Sequence, residues 1–171
     1  WSNGVSARKF RPLNETRVVL TTGRPGDNYG AIALDASASI VYVTKSGQLF
    51  SYSLDRVPGV LLHYAGGSSL ALEGPKNVVA IGFIYFFIVG PSHVPAAAGN
   101  IFIADYSYHV ISMINATSGD VTTVAGNATG HGMKNAAAPL SAQFGYLGGI
   151  TFDLDGNMLI CDWSNNKLRR F

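Results

Sequence analysis

The sequence has few of the residues that mark disulfide-bonded, metal-binding or polyanion-binding proteins. Cys161 is the only cysteine among 171 residues, so an internal disulfide is excluded, and no Cys/His spacing typical of structural zinc occurs. Charged residues make up only 13%, and 12 basic against 10 acidic side chains leave a net charge of +2. A balance so near neutral argues against nucleic acid as a partner. We therefore expect no cofactor and no metal.

The sequence also has no apolar run of the roughly 18 residues that a membrane-spanning helix needs. Its most apolar stretch, GFIYFFIVG (Gly82–Gly90), has a glycine at both ends and is rich in β-branched and aromatic residues. Such residues favour strands over helices, so we predict no membrane span in this chain. With 47% hydrophobic residues, most of the chain should be packed.

A repeat organises the chain. The segment GNIFIADYSYHVISMI (Gly99–Ile114) aligns without a gap with GNMLICDWSNNKLRRF (Gly156–Phe171), at an offset of 57. An earlier and less regular copy, SIVYVTKSGQLFSYSL (Ser39–Leu54), has Lys45 where the other copies have Asp. Together with the flanking segments, each unit predicts four short strands. Four-stranded units that recur about every 40–60 residues are typical of propeller blades.

The region Gly99–Phe171 resembles the NHL-repeat β-propellers, through its ADxSxxxI, TTVAG and DxDGN segments. The Asn-His-Leu triplet of that family corresponds imperfectly to Tyr108-His109-Val110, Asn166-Lys167-Leu168 and, weakly, Gly47-Gln48-Leu49. The resemblance implies an all-β fold of four-stranded antiparallel blades. It also implies about six blades, of which this chain supplies about three. We expect blades at 18–67, 68–127 and 128–171, and further blades in the same protein.

The middle copy is longer than the last one. Between strands one and two, the last copy has three residues (153–155), whereas the middle copy has seventeen (82–98). We therefore predict an insertion of fourteen residues within 82–98. Two explanations are open: an apolar excursion that extends strand one and docks on a neighbour, or residues that do not belong to the native protein.

Candidate contact residues lie where the alternating strand directions bring loops together. Loops between strands two and three, and between blades, share one face, which is most often the partner-binding face in the family. Aromatic residues are enriched at interface cores, so we select Tyr106, Tyr108, Trp163 and His131. The alternative for Tyr106 and Trp163, which occupy equivalent repeat positions, is that they pack blade against blade.

Acidic residues of the repeat are interpreted as structural. We expect Asp105 and Asp162 to bond to nearby backbone amides in turns. The segment DLDGN (Asp153–Asn157) opens like a calcium loop, but the other ligands of such a loop are missing, which favours a hairpin turn.

Three Asn-x-Ser/Thr sequons, at Asn14, Asn115 and Asn127, are predicted N-glycosylation sites. Together with the low charge, they favour an extracellular or luminal location.

We expect a non-enzymatic interaction module that binds protein or glycan through its loop face, as part of a larger protein. One alternative is an enzyme that resembles the metal-dependent lyases among propellers, although none of the four histidines maps onto such a site. The other is RNA binding, for which the loop face has too few Lys and Arg residues.

Overall fold

The chain is built from β-strands. The computed structural model describes residues 8–10, 16–18, 29–35, 39–45, 48–55, 62–67, 73–76, 81–82, 84–136 and 138–171. Within these ranges there is no α-helix; the helical content is two short 3-10 turns, Pro139–Ser141 and Trp163–Asn165. No helix in the described ranges reaches the length and apolarity required to cross a membrane. The sequon at Asn14 lies outside the described residues.

The strands form antiparallel sheets. A short hairpin comes first: β1 (Arg8–Phe10) and β2 (Thr16–Val18). The first sheet then has four strands: β3 (Tyr29–Asp35), β4 (Ile40–Lys45), β5 (Gln48–Ser53) and β6 (Leu62–Ala65). This order of strands is the one that the repeat predicts.

The second sheet contains the middle repeat. Its strands are β7 (Gly74–Pro75), β8 (Ile84–Val89), β9 (Ile101–Asp105), β10 (Val110–Ile114) and β11 (Asp120–Ala125), and they pair in the order β7-β11-β10-β9-β8. The third sheet is β12 (Leu147–Phe152), β13 (Met158–Asp162) and β14 (Lys167–Arg170). The first strand of each repeat, β3, β8 or β12, forms one edge of its sheet.

Two hydrophobic cores hold the three sheets face to face. Successive side chains of a strand point to opposite faces, so Ile101 and Ile103 of β9 pack towards the first sheet, while Phe102 and Ala104 pack towards the third. All five residues of β9 are buried, which explains why this strand is apolar without alternation. Burying one such large side chain contributes about 1.5–3 kcal/mol.

The stretch predicted as an insertion contains strand β8. Ile84 pairs with Asp105 in the second sheet as Leu147 pairs with Asp162 in the third, so 84–89 is strand one of the middle repeat. The loop that follows runs from Gly90 to Asn100 and encloses nine residues. The equivalent turn, from Asp153 to Asn157, encloses three. The predicted insertion of fourteen residues is therefore corrected to six extra residues in this loop.

The longer loop docks on the third sheet. Val94 and Ala97 pack into the core between the second and third sheets. The imidazole Nε2 of His93 lies 3.2 Å from the carbonyl oxygen of Asp153. These contacts support the explanation of an apolar excursion that docks on a neighbour. Joining Ile81 directly to Gly99 would remove the strand on which β9 pairs.

Candidate functional site

Two buried aspartates organise the end of the sheets at which strand two finishes. The Oδ1 atom of Asp105 accepts the backbone N–H groups of Ser107 and Tyr108, each at 2.9 Å, and its Oδ2 atom accepts that of Gly82 at 2.7 Å. The carboxylate thus fastens the segment before β8 to the end of β9. Burial raises the pKa of Asp105, and the three N–H donors oppose that effect.

Asp162 has the same role in the third sheet. It accepts the N–H of Gly145 at 2.9 Å, so Gly145 corresponds to Gly82. Asp162 also forms an ion pair with Arg169, with Nη1 and Oδ2 2.9 Å apart. The prediction that Asp105 bonds to backbone amides two and three residues on is therefore confirmed. For Asp162 it is wrong in detail, because its carboxylate accepts the N–H of Gly145 and the side-chain amide of Asn165 and caps no backbone N–H of the turn 163–165.

We call this end of the sheets the loop end. It consists of the turns 106–109 and 163–166 together with the connection 127–146. His109 and Asn166 occupy equivalent turn positions and have backbone φ angles of 59° and 51°. Asn and His are among the residues that adopt this left-handed conformation more readily than most. The Nδ1 atom of His109 lies 2.9 Å from the carbonyl oxygen of Gly145.

Five rings form a continuous row across the loop end, which we call the aromatic row: Tyr85, Tyr106, Tyr146, His109 and His131. Tyr106 stacks on Tyr146, with ring centroids 4.3 Å apart and planes at 8°. Tyr85 meets Tyr106 edge-on, with ring centroids 5.0 Å apart. His109 lies 5.3 Å from Tyr146 and 5.4 Å from His131. Desolvation and the neighbouring tyrosines raise the pKa of Tyr106.

A groove of about 490 Å³ lies beside the aromatic row. Eight described residues line it: Tyr85, Phe86, Tyr106, Leu147, Gly148, Gly149, Cys161 and Trp163. The volume is within the range of small-molecule sites, about 300–1,000 Å³. Trp163 is 61% exposed, and Cys161 is exposed as well.

The structure brings together only part of the predicted contact set. Tyr106 and Trp163 line the same groove. His131 is exposed at the far end of the aromatic row. Tyr108 is half-buried, and its backbone N–H donates to Asp105 in the turn. Tyr106 also stacks on Tyr146, which belongs to the connection before β12.

Sequence reasoning missed Tyr85, Phe86 and Tyr146. Tyr85 and Phe86 lie in the stretch that was interpreted as an insertion, and they are 49% and 48% exposed. Aligning Gly82 with Gly145 makes Tyr85 and Phe86 equivalent to Gly148 and Gly149 of the third sheet. That alignment would have shown two aromatic residues where the last repeat has two glycines. Tyr146 belongs to no strand of the repeat, so the repeat alignment carries no signal for it.

The other polar features of interest are turns. Asp153 accepts the N–H groups of Asp155 and Asn157 at 3.0 and 2.8 Å, together with the amide of Asn157, so DLDGN forms a side-chain-bonded turn. Asn115 and Asn127 bond in the same way to the backbone N–H two residues on. No cluster of three His, Cys, Asp or Glu residues suited to a metal occurs among the described residues.

Comparison with known proteins shows the fold. No protein-family model and no curated protein matches the chain. Two similar solved structures are called auxiliary nutrient binding proteins: one from Bacteroides thetaiotaomicron (TM-score 0.71, 20% identity) and one from Bacteroides ovatus (TM-score 0.73, 18% identity). Each match covers 91% of this chain and 40% or 39% of the other chain.

A protein from Bacteroides thetaiotaomicron called a putative phosphatase is similar at a TM-score of 0.70 and 14% identity, over 92% of this chain and 37% of that one. The chain therefore spans two fifths or less of the length of these structures. These likenesses extend over most of the described sheets. The chain is an all-β, propeller-like stack of antiparallel sheets.

Proposed function

We propose that this chain is part of a non-enzymatic binding module, which recognises a protein or a glycan through its loop end. The observation that carries the proposal is the aromatic row with its adjoining groove. Tyr85, Tyr146 and Trp163 are 49%, 43% and 61% exposed, although each lies within a folded segment. Contiguous exposed aromatic surface is typical of interaction sites.

The acidic residues at the loop end support binding over catalysis. The carboxylates of Asp105 and Asp162 accept backbone N–H groups that hold the fold together. Asp162 is in addition neutralised by Arg169. Groups with these duties are poorly placed to act as a general acid or base, because a catalytic group must reach a substrate. The names of the two nutrient binding proteins agree with a binding role.

We further propose an NHL-type propeller of about six blades, with three of them at 18–67, 68–127 and 128–171. The stacking of three sheets through repeated apolar faces supports this arrangement. An extracellular or luminal location is part of the proposal and rests on the sequons. Asn115 and Asn127 lie in turns whose hydrogen bonds are exposed to solvent.

The test uses two sets of probes: an array of immobilised glycans and a library of displayed peptides. We expect at least one probe class to bind, and Trp163→Ala to weaken that binding about tenfold or more, as for an interface hot spot. The control is Leu154→Ala, because Leu154 is 89% exposed in the turn at the opposite end of the same sheet. Equal binding by both variants would contradict the proposal.

Two further measurements address the alternatives. Stoichiometric zinc or calcium in the purified protein would favour the metal-dependent enzyme over the binding module. Filter binding of RNA across a salt series would detect nucleic-acid binding, which weakens steeply as salt rises. A salt-dependent RNA complex would replace the protein or glycan partner in the proposal.

A further inference from the structure

The first strand of every repeat carries a β-bulge at the same place. Two residues of this strand face one residue of strand two: Gly30 and Ala31 in the first sheet, and Gly148 and Gly149 in the third. In the second sheet the same two places are occupied by Tyr85 and Phe86. The bulge therefore carries small residues in two sheets and two half-exposed aromatic rings in the middle one.

In the first sheet, neighbouring atoms leave no room for a side chain at Gly30. In the third sheet, a side chain at Gly149 would have room. A Cβ atom on Gly30 would lie 2.8 Å from the hydroxyl oxygen of Thr44 and 3.2 Å from the carbonyl oxygen of Ile84. A Cβ atom on Gly149 would meet nothing within 4 Å. Gly149 therefore leaves open space on the wall of the groove, opposite the rings of the second sheet.

The groove combines flat apolar faces with uncharged polar groups. None of the eight residues that line it carries a formal charge. Gly148 and Gly149 form the bulge of β12 and have no side chain to cover their peptide groups. The indole N–H of Trp163 and the hydroxyl of Tyr106 add donors beside the rings.

We propose that this groove binds a neutral sugar ring of an oligosaccharide. A pyranose presents apolar C–H faces, which suit Tyr85, Phe86 and Trp163, and an equatorial rim of hydroxyls, which suits the bare peptide groups of the bulge. The eight described lining residues carry no formal charge, which suits an uncharged ligand. The inference rests on the proposed function and narrows its partner to a neutral glycan.

The test titrates the purified protein with four neutral probes: cellotetraose, xylotetraose, maltotetraose and chitotetraose. Binding is followed by calorimetry and by tryptophan fluorescence, because Trp163 lines the groove and the chain has only one other tryptophan. We expect saturable binding of at least one probe, in the micromolar to millimolar range, about 10⁻⁶ to 10⁻³ M.

Gly149→Leu is the decisive variant. Its side chain would project into open space, so the protein should unfold at an unchanged temperature while the groove is filled and sugar binding is lost. The double variant Tyr85→Ala and Phe86→Ala removes the opposite wall and should weaken binding about tenfold or more. Leu154→Ala, at the other end of the sheet, should bind as the unaltered protein does.

Two results would overturn the inference: no saturable binding of any of the four probes, or binding that Gly149→Leu leaves intact in a folded protein. These outcomes are distinct from failure of the proposed function. If a displayed peptide binds and Trp163→Ala abolishes its binding, while no sugar binds, the binding module stands and the sugar site is refuted.

Discussion

Arg169 and Asp162 form a buried ion pair that joins the third sheet to the connection before it. The Nη1 and Oδ2 atoms are 2.9 Å apart, and the side chains are 5% and 0% exposed. The guanidinium also donates from Nη1 to the carbonyl oxygen of Gln143 and from Nη2 to that of Lys134. We therefore predict that Arg169→Ala destabilises the protein strongly.

The structure sets the expected size of this effect. Removing one partner of a buried ion pair costs about 3–5 kcal/mol, because the remaining charge stays in a low-dielectric site. Asp162 would keep the N–H of Gly145 and the amide of Asn165 as donors, which places the loss near the lower limit, at about 3 kcal/mol. The second sheet supports this reasoning, since Ser112 occupies the repeat position of Arg169 and Asp105 is held by three backbone N–H groups.

The assay is urea unfolding followed by circular dichroism, with the free energy obtained by linear extrapolation. Arg170→Ala is the matched control. The Arg170 guanidinium is 60% exposed and lies 3.3 Å from Asp153, so its loss should cost only about 0–1 kcal/mol. Arg169→Met keeps an apolar stem against Phe144, and a similar loss in that variant would assign the effect to charge. A loss below about 1 kcal/mol for Arg169→Ala would refute the reasoning.

Three further predictions concern the aromatic row, the buried acid and the middle repeat. Tyr146→Ala should bring the pKa of Tyr106 down towards the ordinary value of 10.0, as ultraviolet titration would show; an unchanged pKa would contradict the stacking argument. The NMR signal of the Asp105 carboxyl carbon should titrate with a pKa above the ordinary 3.8. Because the folded state holds this proton more tightly than the unfolded state, the free energy of unfolding should fall as pH rises through the raised pKa. A measured pKa below 3.8 would be inconsistent with the effect of burial. Deleting 82–98 should abolish cooperative unfolding because it removes β8, whereas exchanging the loop 90–100 for the 153–157 turn should leave a folded protein with a lower unfolding temperature.

The strands and the turns at Asp105 and Asp153 could be predicted because their causes are local. Short runs of β-branched and aromatic residues bounded by turn residues set the strands. An aspartate followed by a turn can bond to amides two or three residues on. Asp105 does so with Ser107 and Tyr108. The repeat then multiplies the local signal, so a pattern that is weak in one copy becomes clear across three.

Strand β8 was misplaced because its anchor is not local. Gly82 is bound by Asp105, 23 residues later, whereas Gly145 is bound by Asp162, 17 residues later. The difference of six is the extra length of the loop between β8 and β9. An alignment that fixes the apolar residues alone cannot detect this equivalence, since the glycines matter through their backbone N–H groups.

The candidate site was only half predictable because equivalent residues receive different neighbours. Tyr106 and Trp163 occupy the same repeat position, so the repeat pattern predicts the same environment for both. Tyr146 from the connection covers one face of Tyr106, while Trp163 stays 61% exposed. The bulge is a second example of equivalent positions with different surroundings. The same backbone geometry carries two glycines in the third sheet and Tyr85 with Phe86 in the second. The fold thus follows from what the repeats share, and the proposed binding surface from the positions at which they differ.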